Sequence, residues 1–172
     1  MKQITKFFAL AIVMLAFTAA TFAQVSATAT ATATIVTPIA ITRTVHMNFG
    51  NLAVNNTIGT VILTPASTRS ATGGVTFLPA SPGTITAASF NITGLANATY
   101  SITLPGVATT IDDGLGNTMT VFPFTSTPTP TGTLSAGGAQ TLTVGATLNV
   151  GASQVAGVYT SATPFTVTVN YN

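Results

Sequence analysis

The chain has 172 residues, and only six are charged: Lys2, Lys6, Arg43, Arg69, Asp112 and Asp113. It contains no cysteine, no tryptophan and a single histidine, which excludes disulfides, thiolate metal clusters and cysteine nucleophiles. Four cations cannot build a nucleic-acid-binding face, and one His with two Asp is a thin stock for an enzyme site.

At the N-terminus, Lys2 and Lys6 precede an apolar run from Phe7 to Phe17, and Thr21-Phe22-Ala23 is a small-x-small cleavage site. The run is well short of the ~20 residues that span a bilayer. The pattern predicts a signal peptide over residues 1–23, cleaved before Gln24. It also predicts export through the periplasm to the cell surface or the medium, and no membrane span after cleavage. Removing 23 of 172 residues leaves 149, takes away both lysines and balances two arginines against two aspartates. Polarity then rests on threonine, 34 of those 149 residues. Threonine is β-branched and favours strands. A chain of zero net charge lacks the repulsion that keeps copies apart.

Apolar residues recur at every second position, and Gly and Pro punctuate the chain every eight to twelve residues, which predicts an all-β sandwich. Val25 to Ile35 alternates Val25, Ala27, Ala29, Ala31, Ala33 and Ile35 against Ser26, Thr28, Thr30, Thr32 and Thr34. Its small side chains suit a strand that fits a groove better than one that builds a core. Strands are then expected at Ile39–Val45, Met47–Val54, Gly59–Leu63, Gly74–Leu78 (after a Gly-Gly turn) and Ile85–Thr93, the last with a bulge near Ala88-Ser89. Tyr100–Leu104 follows. An Asp112–Asn117 loop leads into Met119–Phe124, and a linker-like loop covers Thr127–Gly132. Ala139–Val150 and Phe165–Tyr171 complete a set of eight to ten strands. The expected organisation is a signal peptide at 1–23, an N-terminal extension at 24–36 and a sandwich at 37–172.

A resemblance follows from these residues. A signal peptide, an alternating N-terminal strand, an all-β body, a Gly157-Val158-Tyr159 turn and a penultimate Tyr171 together look like a chaperone–usher pilin. Met47-Asn48-Phe49-Gly50-Asn51-Leu52 resembles the Phe-Gly motif of spore-coat-U-like secreted pilins. More closely, Ala27–Asn172 resembles an uncharacterised bacterial family of small secreted proteins. Its marks here are Asn48–Leu52, the Ser70–Gly74 loop and the Leu134–Gly138 turn. The pilin resemblance implies an immunoglobulin-like sandwich lacking one strand. Residues Val25, Ala27, Ala29, Ala31, Ala33 and Ile35 would be donated to another copy. Phe165, Val167, Val169 and Tyr171 would line the acceptor groove. It also implies partners: other copies of the chain, a periplasmic chaperone and an outer-membrane assembly pore. The chain departs from pilins in its Ala-sized donor residues and in lacking any disulfide.

Other candidates have plainer readings. Asp112 and Asp113, beside Gly114, Gly116 and Asn117, could begin a calcium site, but the spacing does not match the twelve-residue calcium loop and reads more simply as a turn. His46 has no metal-ligand partner nearby in sequence. No Gly-x-Ser-x-Gly elbow marks a nucleophile, so neither an enzyme nor a cofactor is expected. Three function classes remain: a fibre subunit assembled by strand donation, a self-complemented monomeric module that binds a receptor or carbohydrate, and an amyloid-like matrix protein nucleated at Val25–Ile35.

Overall fold

The computed structural model describes residues 24–172, and the expected signal peptide lies outside the described residues. These residues form two units, which meet between Ile35 and Val36. The first, residues 24–35 as described, contains no strand and every one of its side chains is exposed. Val25 is 92% exposed and Ile35 98%. The strand expected over Val25–Ile35 is therefore not formed. Alternation gives a strand only when a neighbouring edge supplies hydrogen bonds, and a row of alanine methyls buries too little area to hold one in place.

The second unit, residues 36–172, is all-β. Its spine is β11 (Ala139–Val150), in the centre of a seven-stranded antiparallel sheet. One side of β11 pairs first with β6 (Ala88–Thr93) and then with β3 (Leu52–Leu63). Its other side pairs with β9 (Thr118–Thr127). Outside these lie β1 (Ala40–Val45) on β6, β4 (Arg69–Phe77) on β3, and β8 (Thr109–Asp112) on β9. A three-stranded sheet is ordered β10 (Thr131–Thr133), β7 (Thr99–Thr103), β12 (Thr168–Tyr171). A two-residue ribbon joins β2 (Asn48–Phe49) to β5 (Ile85–Thr86). Of these twelve strands among the described residues, nine have four residues or more. The all-β sandwich expected from the sequence is the observed architecture.

The alternation of β11 explains its position. Leu142, Val144, Ala146, Leu148 and Val150 are buried. They meet Leu63, Ile92, Tyr100 and Leu134 in one continuous core. Burying each large apolar side chain contributes roughly 1.5–3 kcal/mol. Gly145 sits on β11 where β6 gives way to β3, and there a Cβ would run into the Leu63 carbonyl oxygen.

Several strand boundaries differ from expectation, each for a physical reason. Gly73-Gly74 is not a turn. The chain reverses at residues 64–68, with the Thr64 carbonyl accepting from Ser67 N, and β4 runs straight through both glycines. Gly73 lies opposite Gly59 at φ +64°, beneath the Ile58 carbonyl oxygen, where a side chain has no room. The expected strands at Met47–Val54 and Gly59–Leu63 merge largely into β3, whose register shifts between Val54 and Gly59. β8 was hidden in the loop before Asp112. The linker-like Thr127–Gly132 stretch is partly structured, because β9 reaches Thr127 and β10 begins at Thr131.

Candidate functional site

The two ends of the folded body meet at one corner. The Tyr171 hydroxyl donates to the Thr37 carbonyl oxygen at 2.8 Å and accepts from Leu95 N at 2.6 Å. Gly94 leaves room for this ring, since a Cβ there would strike the Tyr171 hydroxyl. Tyr171 thus ties the first residues of the folded body to its last strand.

Hydrogen-bond parity shows which backbone groups the two edge strands leave free. Asn172 N donates to Thr99 O, so Thr168 and Asn170 also face β7, while Val167, Val169 and Tyr171 face away from it. Gly94 N donates to Gly138 O, so the even-numbered residues of β6 face β11 and the odd-numbered ones face β1. In β1, Ala40 and Thr42 therefore pair with β6, and Ile39 and Ile41 turn their amides outward. Each outward amide belongs to a residue whose side chain faces the core. Val167 and Val169 are buried, and Ile39, Ile41 and Tyr171 pack against the core.

The groove implied by the pilin resemblance would lie between these edges. Where β1 and β12 meet, their Cα atoms come within 8 Å, whereas an inserted strand needs about 9.5 Å, or two strand spacings. No third strand fits at that point. Phe165 stands apart from this seam. It is half-buried, with its ring centroid 4.8 Å from that of Phe124, and it lines an open cleft. Of the four expected groove residues, Val167, Val169 and Tyr171 line the seam and Phe165 lines the cleft. Only residues 168–171 of the expected Phe165–Tyr171 strand are paired, because the next ladder position sets Thr166 opposite Pro105, which has no N–H to give.

The remaining sequence candidates are satisfied locally. Asp112 Oδ1 accepts from Gly114 N at 3.0 Å. Asp113 Oδ1 accepts from Leu115 N at 2.8 Å and Asn117 N at 3.1 Å, and its Oδ2 accepts from Asn117 Nδ2 at 2.6 Å. The Asn117 side chain, followed by the loop amides, holds the Asp113 carboxyl below its usual range. Both oxygens are occupied by the turn itself, and among the described residues no three His, Asp or Glu side chains gather as metal ligands. His46 is exposed, and its carbonyl accepts from Thr86 Oγ1. Tyr159 closes its own loop, accepting from Gln154 Nε2 at 2.9 Å and donating to Val155 O at 2.7 Å.

Sequence reasoning missed the use made of Arg69. Its guanidinium donates to the carbonyls of Phe49, of Asn51 at 3.2 Å and of Pro82 at 3.3 Å. It lies 4.2 Å from the Phe77 ring centroid. Gly50, at φ +73°, passes directly beneath it, and Asn48 Oδ1 accepts from Gly50 N at 2.8 Å. The Asn48–Leu52 motif is thus a tight bend clamped by one cation. Burial pushes the Arg69 pKa down from its ordinary value. The signal was one of only two arginines in a nearly uncharged chain.

These features define an antiparallel β-sandwich domain preceded by an unpaired, uncharged extension. Residues 39–171 match the family described as Domain of unknown function (DUF4402), and the chain belongs to that family. The match begins one residue before β1, so the alternating extension lies outside it. No curated protein and no solved structure matches the chain.

Proposed function

We propose that the mature protein is a secreted, non-enzymatic structural subunit whose copies associate by strand donation, residues 24–36 of one adding to a sheet edge of the next. The observation that carries this reading is the extension itself. It has the most regular alternation in the chain, carries no charge, and stands wholly exposed and unpaired. Exposed, uncharged β-prone segments pair with free edges, and the hydrogen bonds of strand addition supply affinity. A donor on one part of a molecule and an acceptor on another make a contact that does not close on itself, so a filament grows. Display at the cell surface, in an adhesion or biofilm role, fits a Thr-rich exterior with very few charges. Signal cleavage, a periplasmic chaperone and an outer-membrane pore are the export route this reading entails.

The test compares chain 24–172 with chain 37–172 by analytical ultracentrifugation and electron microscopy. The expected result is concentration-dependent oligomers or fibres for the first and monomers for the second. Identical monomers from both would replace this reading with that of a monomeric binding module.

A further inference from the structure

The antiparallel ladder between the β7–β8 stretch and the C-terminal segment has a hole in it. At one end Thr168 pairs with Thr103. At the other, Asp112 and Thr160 exchange both backbone hydrogen bonds at 2.9 Å. Between these pairs, residues 104–111 and 161–167 make no ladder contact with each other. A cleft of about 570 Å³ opens there, lined by Val107, Ala108, Thr110, Pro164, Phe165 and Thr166 among others.

The register explains why the hole stays open. Asp113 N donates to Asn117 O, so the odd-numbered residues of β8 face β9 and the even-numbered ones face the cleft. Asp112 uses its outward groups on Thr160. Thr110 and Ala108 have no such partner among the described residues. Continued from the Asp112–Thr160 pair, the register would set Ala162 opposite Thr110 and Pro164 opposite Ala108. Proline has no N–H, so the ladder cannot close past that position.

We infer that this gap is the acceptor, and that it takes the alternating Val25–Ile35 segment of a second copy as an added strand on β8. This rests on the strand-donation reading above. The other edges are less able to accept. β1 carries the exposed charge of Arg43 and meets β12, β10 is three residues long, and β4 carries Arg69 and lies against the bulge of β3 between Val54 and Gly59. The gap offers free backbone groups on an open rim, and Asp112 is the only charged residue lining it. It also carries an exposed apolar lip, Val107 at 76% exposure. The segment matches this chemistry. It has no charge, its alanine methyls are small enough to pass the Pro164–Phe165 wall, and its threonines would face water. Larger donor residues would not be needed, because the core behind the gap is already filled by Phe165 on Phe124.

The chain lacks cysteine, so engineered disulfides report the contact directly. In the full mature chain, Ala27, Ala29, Ala31 and Ala33 are each replaced by Cys and combined with Thr110→Cys, Ile41→Cys or Ala71→Cys, which probe the edges of β8, β1 and β4. Under mild oxidation, one Ala→Cys variant of the series should form intermolecular disulfides with Thr110→Cys at least tenfold faster than with either alternative edge. Faster capture at Ile41→Cys or Ala71→Cys would overturn the gap as acceptor while leaving strand donation intact. Equal, low rates at all three edges, with the same oligomeric mass for chains 24–172 and 37–172, would overturn strand donation itself. As a second probe, Pro164→Ala restores the missing N–H and lets the ladder close. It should weaken association at least tenfold, and unchanged association would overturn the inference.

Discussion

The Tyr171 hydroxyl and the Thr37 carbonyl oxygen lie 2.8 Å apart across 134 positions of sequence. The hydroxyl also accepts from Leu95 N, so one phenol joins the end of β12 to the residues that flank the β1–β6 pair. Tyr171→Phe keeps the ring and removes both bonds. It should cost about 1–2 kcal/mol, lower the melting temperature by several degrees, and abolish hydrogen-exchange protection at the Leu95 amide.

Arg69 is held by three carbonyls and an aromatic face, with no carboxylate among those partners. Arg69→Lys keeps the charge but loses the planar fork that reaches several carbonyls at once. We expect a loss of about 1–3 kcal/mol in urea unfolding, the range for hydrogen bonds to charged groups. Near-wild-type stability in this variant would show that the bend at Gly50 stands without its clamp.

Gly145 allows β3 and β6 to share one side of β11. Gly145→Ala would press a methyl into the Leu63 backbone, which cannot step aside without breaking the ladder. The expected loss is at least about 1–3 kcal/mol, the usual cost of overpacking, seen as a lower denaturation midpoint. Gly106→Ala is the control, because nothing lies near a Cβ there.

Asp113 provides the acid sensitivity. Its carboxyl is depressed below the ordinary value of 3.8, chiefly by the Asn117 side chain. A depressed carboxyl stabilises the fold above its unfolded value and loses that contribution as pH falls through the lower folded value. Carboxyl NMR should show Asp113 titrating below 3.8, and Asn117→Ala should move it back up toward that value. The urea midpoint of the wild type should therefore fall only below about pH 4.

The readability of the fold from sequence followed the source of each element's stability. β11 was found residue for residue, because its alternation is enforced by burial on a single core face. β1 was found to within one residue, although Ile41 alone of its residues is partly buried. Val25–Ile35 alternates more regularly still, yet forms no strand, because periodicity describes a side-chain pattern and not the presence of a neighbour. Gly73-Gly74 reads as a turn locally, and only its approach to Gly59 makes it strand. The Arg69 clamp joins residues 13 to 20 positions apart, and no local spacing marks it. The gap beside Pro164 needed the register of β8 to be seen.

Because Tyr171 touches Thr37, the folded body starts and stops at one spot. Its topology is therefore nearly a closed ring. A chain joining Asn172 to Thr37 through a short linker, and reopened in the exposed turn at residues 80–84 between β4 and β5, would keep every strand pairing of the original. Circular permutation is open to this domain in a way it is not for sandwiches whose ends lie at opposite poles.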